Sequence, residues 1–325
     1  MMTHAIRIER QGGPEVLQWQ QVELGAPGPG EVLVRHGAVG VNFIDIYHRS
    51  GLYPLQLPSG LGLEGAGTVE AVGAGVTRFR VGDRVAYCSG PVGAYAEARV
   101  VPEKVLVALP DAIAFETAAS MMLKGLTAQF LLRRTRPLAA GDVALFHAAA
   151  GGVGLIAGQW ARALGVKLIG TAGSDEKCRL ALEHGYAHCI NYRTEDLVAR
   201  VRELTDGRGV AVVYDSVGRD TWERSLSCLQ PFGLMVSFGN SSGPVPPVTL
   251  GDLAARGSLY VTRPTLMTHV ADPQALAQMA AELFAMVQGG RVVPRIGQRF
   301  ALRDAAAAQA ALESRATTGS IVLQP

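Results

Sequence analysis

The fold is decided by V-A-L-F-H-A-A-A-G-G-V-G at Val143–Gly154, which L-I-A-G-Q-W-A-R-A-L-G follows. A short apolar run leads into small residues and glycines, and then into a segment whose apolar residues recur at helical spacing. This order predicts the strand, turn and helix of a nucleotide-binding βαβ unit. Backbone N–H groups at the helix start, aligned with the helix dipole, can hold a phosphate. Because an alanine, Ala149, occupies the first glycine position of the usual G-x-G-x-x-G, a tight turn without a ligand stays open on this stretch alone.

Composition narrows the class of protein. With 325 residues, 48% hydrophobic and 18% charged, the chain is predicted to be a soluble protein of two domains. A net charge of +2 without a basic-aromatic run gives no reason to expect a nucleic-acid partner. The chain has no apolar leader and no uncharged run of membrane-spanning length, so the predicted location is the cytoplasm, without membrane contact. The four dispersed cysteines, Cys88, Cys178, Cys189 and Cys228, are interpreted as reduced thiols.

Residues 1 to about 110 are predicted to be β-rich. Turn sequences rich in glycine and proline separate short strand-like runs, which are Ala5–Ile8, Val16–Val22, Glu31–Ala38, Gly67–Val72 and Arg84–Ala86. Strands this short and regularly spaced favour a partly open antiparallel barrel. The segment Asn42–Tyr53 interrupts the pattern and is predicted to form a short helix and loop.

From about residue 112 helices and strands alternate. Phe115–Leu132 is a predicted helix, and six predicted strands follow, at Val143–Phe146, Lys167–Thr171, Cys189–Tyr192, Val210–Asp215, Leu234–Gly239 and Ser258–Thr262. With mostly helical crossovers, they predict a doubly wound parallel six-stranded sheet of the Rossmann type, in an α/β fold. Beyond a helix starting at Asp272-Pro273, the strand Ser320–Leu323 is expected to return to the first domain.

Several motifs then match a known family in order. They are N-F-I-D-I-Y (42–47), R-S-G-L-Y-P (49–54), G-A-Y-A-E (93–97), H-A-A-A-G-G-V-G (147–154), Y-D-S-V-G-R-D-T-W-E-R-S-L (214–226), S-F-G-N-S-S-G (237–243) and E-S-R-A-T-T-G-S (313–320). Over nearly its whole length the chain resembles the medium-chain dehydrogenase/reductase superfamily, and within it the NADPH-dependent quinone oxidoreductases of the zeta-crystallin type. The resemblance implies a GroES-like catalytic domain of residues 1–125 and 263–325, and a Rossmann NADPH-binding domain of residues 126–262.

The same resemblance implies an activity without metal. Zinc alcohol dehydrogenases of this superfamily hold a catalytic zinc on Cys, His and Cys, and the first two positions are Asn42 and Leu63 here. A leucine cannot bind zinc, so no zinc is expected and NADPH is the only cofactor. The implied function is transfer of reducing equivalents from NADPH to a quinone bound in the cleft between the domains. Two alternatives stay open: an alkenal or enone reductase of the same fold, and a non-catalytic NADPH-binding protein of the crystallin kind.

The end of the second Rossmann strand favours NADP over NAD. NAD enzymes place an acidic residue there for the ribose 2′-hydroxyl, whereas this chain has Gly173 and Ser174, with Lys177 one helical turn later. Asp175 lies at about the right distance to be that acidic residue, but the preferred interpretation is that Ser174 caps the helix and Asp175 lies in its first turn. The resemblance adds Tyr192 to the contacts of the 2′-phosphate.

The resemblance also implies the remaining site residues. Further cofactor contacts are expected from Asn42, Asp45, Thr127, Gly152, Val153, Ser216, Phe238, Gly239, Asn240, Ser241 and Arg315, although Arg315 is equally well explained as a cation at a helix C-terminus. The candidates for contact with the acceptor are Tyr47, Tyr53, Arg263 and Lys124, the last of which is as well explained by a structural ion pair. His147 is expected to pack beside the turn, without a catalytic role.

Ser258–Thr262, the last strand of the sheet, would leave an exposed edge. Pairing with its two-fold mate would cover that edge, so topology and family resemblance together predict a homodimer. The natural acceptor, and the choice between one-electron and hydride transfer, stay open at the level of sequence.

Overall fold

The computed structural model describes all 325 residues, and the chain divides into two compact units. The first unit contains residues 1–126, 269–288 and 294–325, and the second contains residues 127–268 and 289–293. The domain limits expected at 125/126 and 262/263 stay a prediction. No helix combines the length and the apolar character that crossing a lipid bilayer requires.

The elements follow one another in three groups. The first group is β1 (Met2–Ile8), β2 (Gln18–Glu23), β3 (Glu31–Val41), α1 (Phe43–Ser50), β4 (Ser59–Gly60), β5 (Glu64–Val72), β6 (Arg84–Tyr87), β7 (Ala98–Pro102), β8 (Val107–Ala108) and α2 (Phe115–Phe130). The second is β9 (Val143–Phe146), α3 (Gly152–Ala163), β10 (Lys167–Ala172), α4 (Asp175–Glu183), β11 (His188–Asn191), α5 (Leu197–Leu204), β12 (Val210–Asp215), α6 (Trp222–Cys228), β13 (Leu229–Ser237), α7 (Leu250–Ala255), β14 (Tyr260–Thr262) and α8 (Leu266–His269). The third is α9 (Pro273–Gln288), β15 (Ile296–Ala301), α10 (Ala305–Glu313) and β16 (Ser320–Gln324).

The first unit is built on a seven-stranded sheet with the order β15-β16-β3-β5-β6-β8, in which β7 also pairs with β3. A second, three-stranded sheet has the order β2-β1-β4. The inward residues of both sheets form one apolar core, in which Ile6, Val34 and Leu323 are fully or almost fully buried. The return of the last strand is confirmed, since β16 pairs antiparallel with β3.

Two sequence predictions for this unit are wrong in part. The sheet is not wholly antiparallel, because β15 and β16 run parallel. The local sequence of neither strand indicates this pairing. The strand expected at Val16–Val22 begins only at Gln18, because Pro14–Val16 forms a 3₁₀ turn with proline at its first position.

The second unit contains a six-stranded sheet with the order β11-β10-β9-β12-β13-β14, and all its pairs are parallel. Counted from β9 this is the order 3-2-1-4-5-6, which confirms the predicted Rossmann sheet. The strand order reverses between β9 and β12, where such sheets bind ligands beyond the carboxyl ends of the strands. Several boundaries differ from the prediction. β13 runs from Leu229 to Ser237, not from Leu234 to Gly239, because the strand continues across a register shift against β12. β14 begins at Tyr260, not at Ser258, and β11 lies one residue earlier than predicted.

Candidate functional site

The turn after β9 is closed by its own backbone. A Cβ added at Gly154 would lie 2.5 Å from the Ala148 carbonyl oxygen and 2.6 Å from that of Ala149, so only glycine fits there. Ala148 has φ +55°, a left-handed conformation that glycine adopts without strain and alanine does not. Gly152 and Val153 form the first turn of α3, whose free N–H groups suit a phosphate.

The start of α4 has the predicted cap. The backbone N–H of Lys177 donates to the Ser174 hydroxyl oxygen at 3.3 Å. Asp175 is held elsewhere, because its Oδ1 accepts from the Asn191 side-chain amide at 2.8 Å. The interpretation of Ser174 as the cap, with Asp175 in the first turn of the helix, is therefore confirmed.

Two cations and an aromatic ring gather at Gly173. A Cβ at Gly173 would lie 2.7 Å from the Tyr192 hydroxyl oxygen and 3.5 Å from the Arg193 Nε. Burial lowers the pKa of Lys177, and the nearby Arg193 guanidinium lowers it further. The carboxylate of Glu176 raises the pKa of Lys177 against these two effects. A positive potential from Lys177 and Arg193 at this corner of the second unit suits a phosphate.

The ends of β12 and β13 interlock beyond the sheet. A Cβ at Gly239 would lie 2.5 Å from the Ser216 carbonyl oxygen, and Ser241 N–H donates to that same oxygen at 3.2 Å. Arg263 joins this group, because its Nη1 donates to the Ser237 carbonyl oxygen at 2.9 Å. When the Asn240 amide is turned so that its nitrogen donates to the Gly239 carbonyl oxygen, its oxygen accepts from Arg263 Nη2 at 3.3 Å. The ring of Phe238 packs on Phe146 with 5.7 Å between centroids. The predicted residues Ser216 and 238–241 are thus brought together beyond the carboxyl ends of β12 and β13.

A buried polar cluster lies directly beneath this edge. His147 bonds Thr171 Oγ1 through Nδ1 and Ser225 Oγ through Nε2, each at 2.9 Å. Ser225 and Thr221 donate to Asp215 Oδ2 at 2.8 and 2.7 Å. Because the Ser225 proton is used on Asp215, His147 Nε2 must donate to Ser225. Burial lowers the pKa of His147, which favours the neutral imidazole. Serine stands between histidine and aspartate here, so the cluster braces the strand ends and activates no nucleophile.

The first unit holds its own buried cluster around Glu64, which is 0% exposed. Its Oε2 accepts from the Asn42 amide at 2.8 Å and from Lys124 Nζ at 3.0 Å, and its Oε1 accepts from Leu123 N–H at 2.8 Å. Of the two interpretations of Lys124, the structural ion pair is the one that these contacts favour.

Asp45 lies beside this cluster at the start of α1. Its Oδ2 accepts from Asn42 N–H and from the Tyr95 hydroxyl, both at 2.9 Å, while its buried Oδ1 has no hydrogen-bond partner. Burial raises the pKa of Asp45 to about 7 against the opposing effect of these hydrogen bonds. A carboxyl that is neutral in part at physiological pH can donate a hydrogen bond as well as accept one.

The aromatic candidates Tyr47, in α1, and Tyr53, just after it, are in contact. The rings of Tyr47 and Tyr53 meet edge to face with centroids 5.1 Å apart, and Tyr53 N–H donates to the Tyr47 carbonyl oxygen at 3.0 Å. His48 touches the same Tyr53 ring with centroids 6.1 Å apart. Of the other predicted contacts, Thr127 is buried in α2 and Arg315 is exposed after α10, with φ +56°.

Glu64, Arg193 and Ser225 were not among the residues singled out from the sequence. Arg193 directly follows Tyr192, so it could have been predicted from the same motif. Glu64 directly follows Leu63, which stands where zinc-dependent relatives carry a metal ligand. Ser225 gave no local signal, because its partner His147 is 78 positions away. No group of three His, Cys, Asp or Glu side chains suited to a metal ion occurs in the structure, and independence from zinc stays a prediction.

Comparison with known proteins first defines the class. Residues 28–111 match the family model described as alcohol dehydrogenase GroES-like domain, and residues 152–285 match the one described as zinc-binding dehydrogenase. Together with the six-stranded Rossmann sheet, these matches confirm the predicted α/β fold of the medium-chain dehydrogenase/reductase superfamily.

Full-length relatives then narrow the family. The chain is 59% identical to a quinone oxidoreductase of Pseudomonas aeruginosa, with 100% of both chains covered. It is 52% identical to a solved Escherichia coli quinone oxidoreductase complexed with NADPH, with a TM-score of 0.98 over 99% of this chain and 100% of that one. A 2-haloacrylate reductase from Burkholderia is 44% identical, with 100% of this chain and 99% of the relative covered. The chain belongs to the quinone oxidoreductase family, and the prediction of an enzyme of this class is confirmed.

Proposed function

We propose that the chain transfers reducing equivalents from NADPH to a quinone without the help of a metal ion. The observation that carries the choice of cofactor is the meeting of Lys177 and Arg193 beside Gly173 and Tyr192. A small residue at the end of β10 leaves room for a 2′-phosphate, and two cations can neutralise it. The Escherichia coli relative complexed with NADPH supports the same choice.

The rest of the cofactor would be held by residues already described. The first turn of α3, with Gly152 and Val153, would take the pyrophosphate, and the loops after β12 and β13, with Ser216 and residues 238–241, would line the dinucleotide. Asn42 and Asp45 would serve the nicotinamide, since Asp45 Oδ1 is a buried polar atom without a partner. Thr127 and Arg315 complete the proposed contacts. NADPH, when bound, supplies the reducing equivalents, and the protein orients it and excludes water.

The acceptor is proposed to be a quinone because an electron-poor ring needs no Lewis acid. Leu63 and Asn42 occupy positions where zinc-dependent relatives carry metal ligands, and Asn42 is used as a donor to Glu64. Tyr47 and Tyr53 offer aromatic surface to such a ring. Arg263 and Lys124 complete the proposed acceptor contacts, although Arg263 donates to the Ser237 carbonyl oxygen and Lys124 pairs with Glu64. An activated alkene is the second candidate, which the similarity to a 2-haloacrylate reductase favours.

The test follows the loss of NADPH absorbance with purified protein, with 1,4-benzoquinone in one series and a 2-alkenal in another. Oxidation with the quinone, unaffected by a metal chelator and much weaker with NADH, is the expected result. Faster turnover of the alkenal than of the quinone would mean that the acceptor is an activated alkene. No oxidation with any acceptor, despite measurable NADPH binding, would establish the non-catalytic alternative.

We propose further that the protein is a cytoplasmic homodimer that pairs through β14. This strand has a neighbour on one side only, β13, and Tyr260 and Val261 on it are 60% and 41% exposed. Phe232, in the same unit, is 64% exposed although it is a large apolar side chain. An uncovered apolar edge of this kind invites pairing with a second copy.

A further inference from the structure

Two cysteines of the second unit, Cys178 in α4 and Cys189 in β11, are in direct contact. Their Sγ atoms are 3.0 Å apart, and the Cys189 thiol donates to the Cys178 sulfur. Cys178 is buried and Cys189 is half-buried, so Cys189 is the more exposed residue of the pair. A disulfide has a sulfur–sulfur distance of about 2 Å, so a closure of roughly 1 Å would join them.

The surrounding structure holds the two elements at this spacing. Asn191, close after Cys189 in β11, donates to Asp175 at the start of α4 at 2.8 Å, and Cys178 N–H donates to the Ser174 carbonyl oxygen at 3.0 Å. The other two cysteines, Cys88 and Cys228, are buried. No third metal-ligating side chain accompanies the pair, which separates it from the four-ligand pattern of structural zinc sites.

The proton state of the pair suits storage as thiols. Burial raises the pKa of Cys178 and of Cys189, and the carboxylate of Glu195 raises both further. Both sulfurs are therefore protonated at neutral pH, so their oxidation is slow there and should become faster as the pH rises.

We propose that Cys178 and Cys189 form a reversible oxidation site, which a hydroperoxide converts into an intramolecular disulfide joining α4 to β11. The Cys189 thiol gives its proton to solvent, and the thiolate sulfur attacks an oxygen of the peroxide. The O–O bond breaks, the leaving alkoxide or hydroxide takes a proton from solvent and departs as an alcohol or water, and a sulfenic acid remains on Cys189. The Cys178 sulfur then attacks Cys189, the S–O bond breaks, and the leaving hydroxide takes the Cys178 proton and departs as water. Two thiols have lost two electrons and two protons, the peroxide has gained them, and a dithiol reductant reverses the change.

Oxidation would act on the corner where the 2′-phosphate is proposed to bind, and this part rests on the proposed function. Ser174 and Lys177 lie at the start of α4, and Tyr192 and Arg193 directly follow β11. A shift of about 1 Å between these elements exceeds the tolerance of charge-assisted hydrogen bonds, so the oxidised protein is expected to have a several-fold higher KM for NADPH.

The test oxidises the full-length protein with hydrogen peroxide and maps its peptides without reduction. The expected product is about 2 Da lighter, carries one link between the peptides of Cys178 and Cys189, and returns to the starting mass with dithiothreitol. The Cys178→Ser variant should form no link and should instead yield a sulfenic acid on Cys189 that dimedone traps. The Cys228→Ser variant, the matched control, should still form the link.

Three results would overturn this assignment: no link, a link between two chains, or a link that uses Cys88 or Cys228. The coupling to the cofactor is measured on the same samples as the KM for NADPH before and after oxidation, and a link that leaves this KM unchanged refutes the coupling. Failure of the reduced protein to oxidise NADPH with any acceptor would instead count against the proposed function, and the peptide link is scored without any activity.

Discussion

Lys177 and Arg193 are the residues that should separate NADPH from NADH. Removal of one charge-assisted hydrogen bond to a phosphate costs about 1.5–3 kcal/mol, so Lys177→Ala should raise the Kd of NADPH roughly tenfold to a hundredfold. Arg193→Ala should act in the same direction, because Arg193 lies at the same corner of the second unit. The Kd of NADH, which has no 2′-phosphate, should change little in either variant.

Titration of cofactor fluorescence measures these Kd values, and Lys167→Ala is the matched control, since Lys167 is exposed at the opposite end of β10. Equal losses for NADPH and NADH in Lys177→Ala would mean that the 2′-phosphate binds elsewhere.

Asp45 should give the stability of the protein a pH dependence of unusual sign for a carboxyl. Its pKa rises from 3.8 to about 7 on folding because the side chain is buried. Between these values the folded chain keeps a proton that the unfolded chain releases. The contribution of Asp45 to stability is therefore complete below pH about 4 and is lost as the pH rises through about 7.

The Asp45→Asn variant does not titrate at this position, so its stability relative to the wild type should rise from about pH 5 to about pH 8. Urea unfolding midpoints at both pH values measure this difference, and Asp111→Asn, an exposed position in the same unit, is the control for general charge effects. A difference that is constant with pH would show that Asp45 is ionised throughout.

The turn between β9 and α3 should tolerate an added methyl group less well at Gly154 than at Gly151. At Gly154 a Cβ meets two backbone carbonyl oxygens at 2.5 and 2.6 Å, whereas at Gly151 the nearest atom is 3.2 Å away. Because backbone carbonyl groups, unlike side chains, cannot rotate away from an added methyl group, Gly154→Ala should cost about 1–3 kcal/mol of unfolding free energy and weaken NADPH binding. Gly151→Ala is the matched control and should lose less of both, because its Cβ meets a single backbone oxygen at 3.2 Å. Equal effects of the two substitutions on urea unfolding and on NADPH affinity would contradict the phosphate role of this turn.

At the level of elements, the sequence was most informative where burial is complete. The bounds of β9 and β12 were predicted to the residue, because strands covered on both faces are unbroken apolar runs with polar or glycine-rich ends. Pairing across long separations was not readable: nothing in Ile296–Ala301 shows that it runs parallel to β16. The cluster of His147, Ser225 and Asp215 was not predicted for the same reason, since residues that are far apart in the sequence produce no periodic pattern when they meet in the fold.

At the level of the whole molecule, order in the chain was enough to predict much of the architecture. A first run of short strands, then alternating helices and strands, then a closing strand, gave the α/β class and the return of β16 to β3. Family motifs supplied most candidate site residues, but the use of Lys124 and Arg263 depends on partners, Glu64 and the carbonyl of Ser237, that only the folded chain brings to them.

The oligomeric state is the property of the whole molecule that remains to be measured. If β14 pairs with the β14 of a second copy around a two-fold axis, Val261 of each copy lies close to that axis. A charge placed at residue 261 would then lie close to the same charge of the second copy. Val261→Lys should therefore convert a dimer into a monomer in sedimentation velocity at micromolar concentration, because two like charges at the centre of an apolar interface cost several kcal/mol. Val81→Lys is the matched control, since Val81 is 63% exposed in the first unit, and it should stay dimeric. A wild-type protein that sediments as a monomer, or a Val261→Lys variant that remains a dimer, would show that β14 is not the interface.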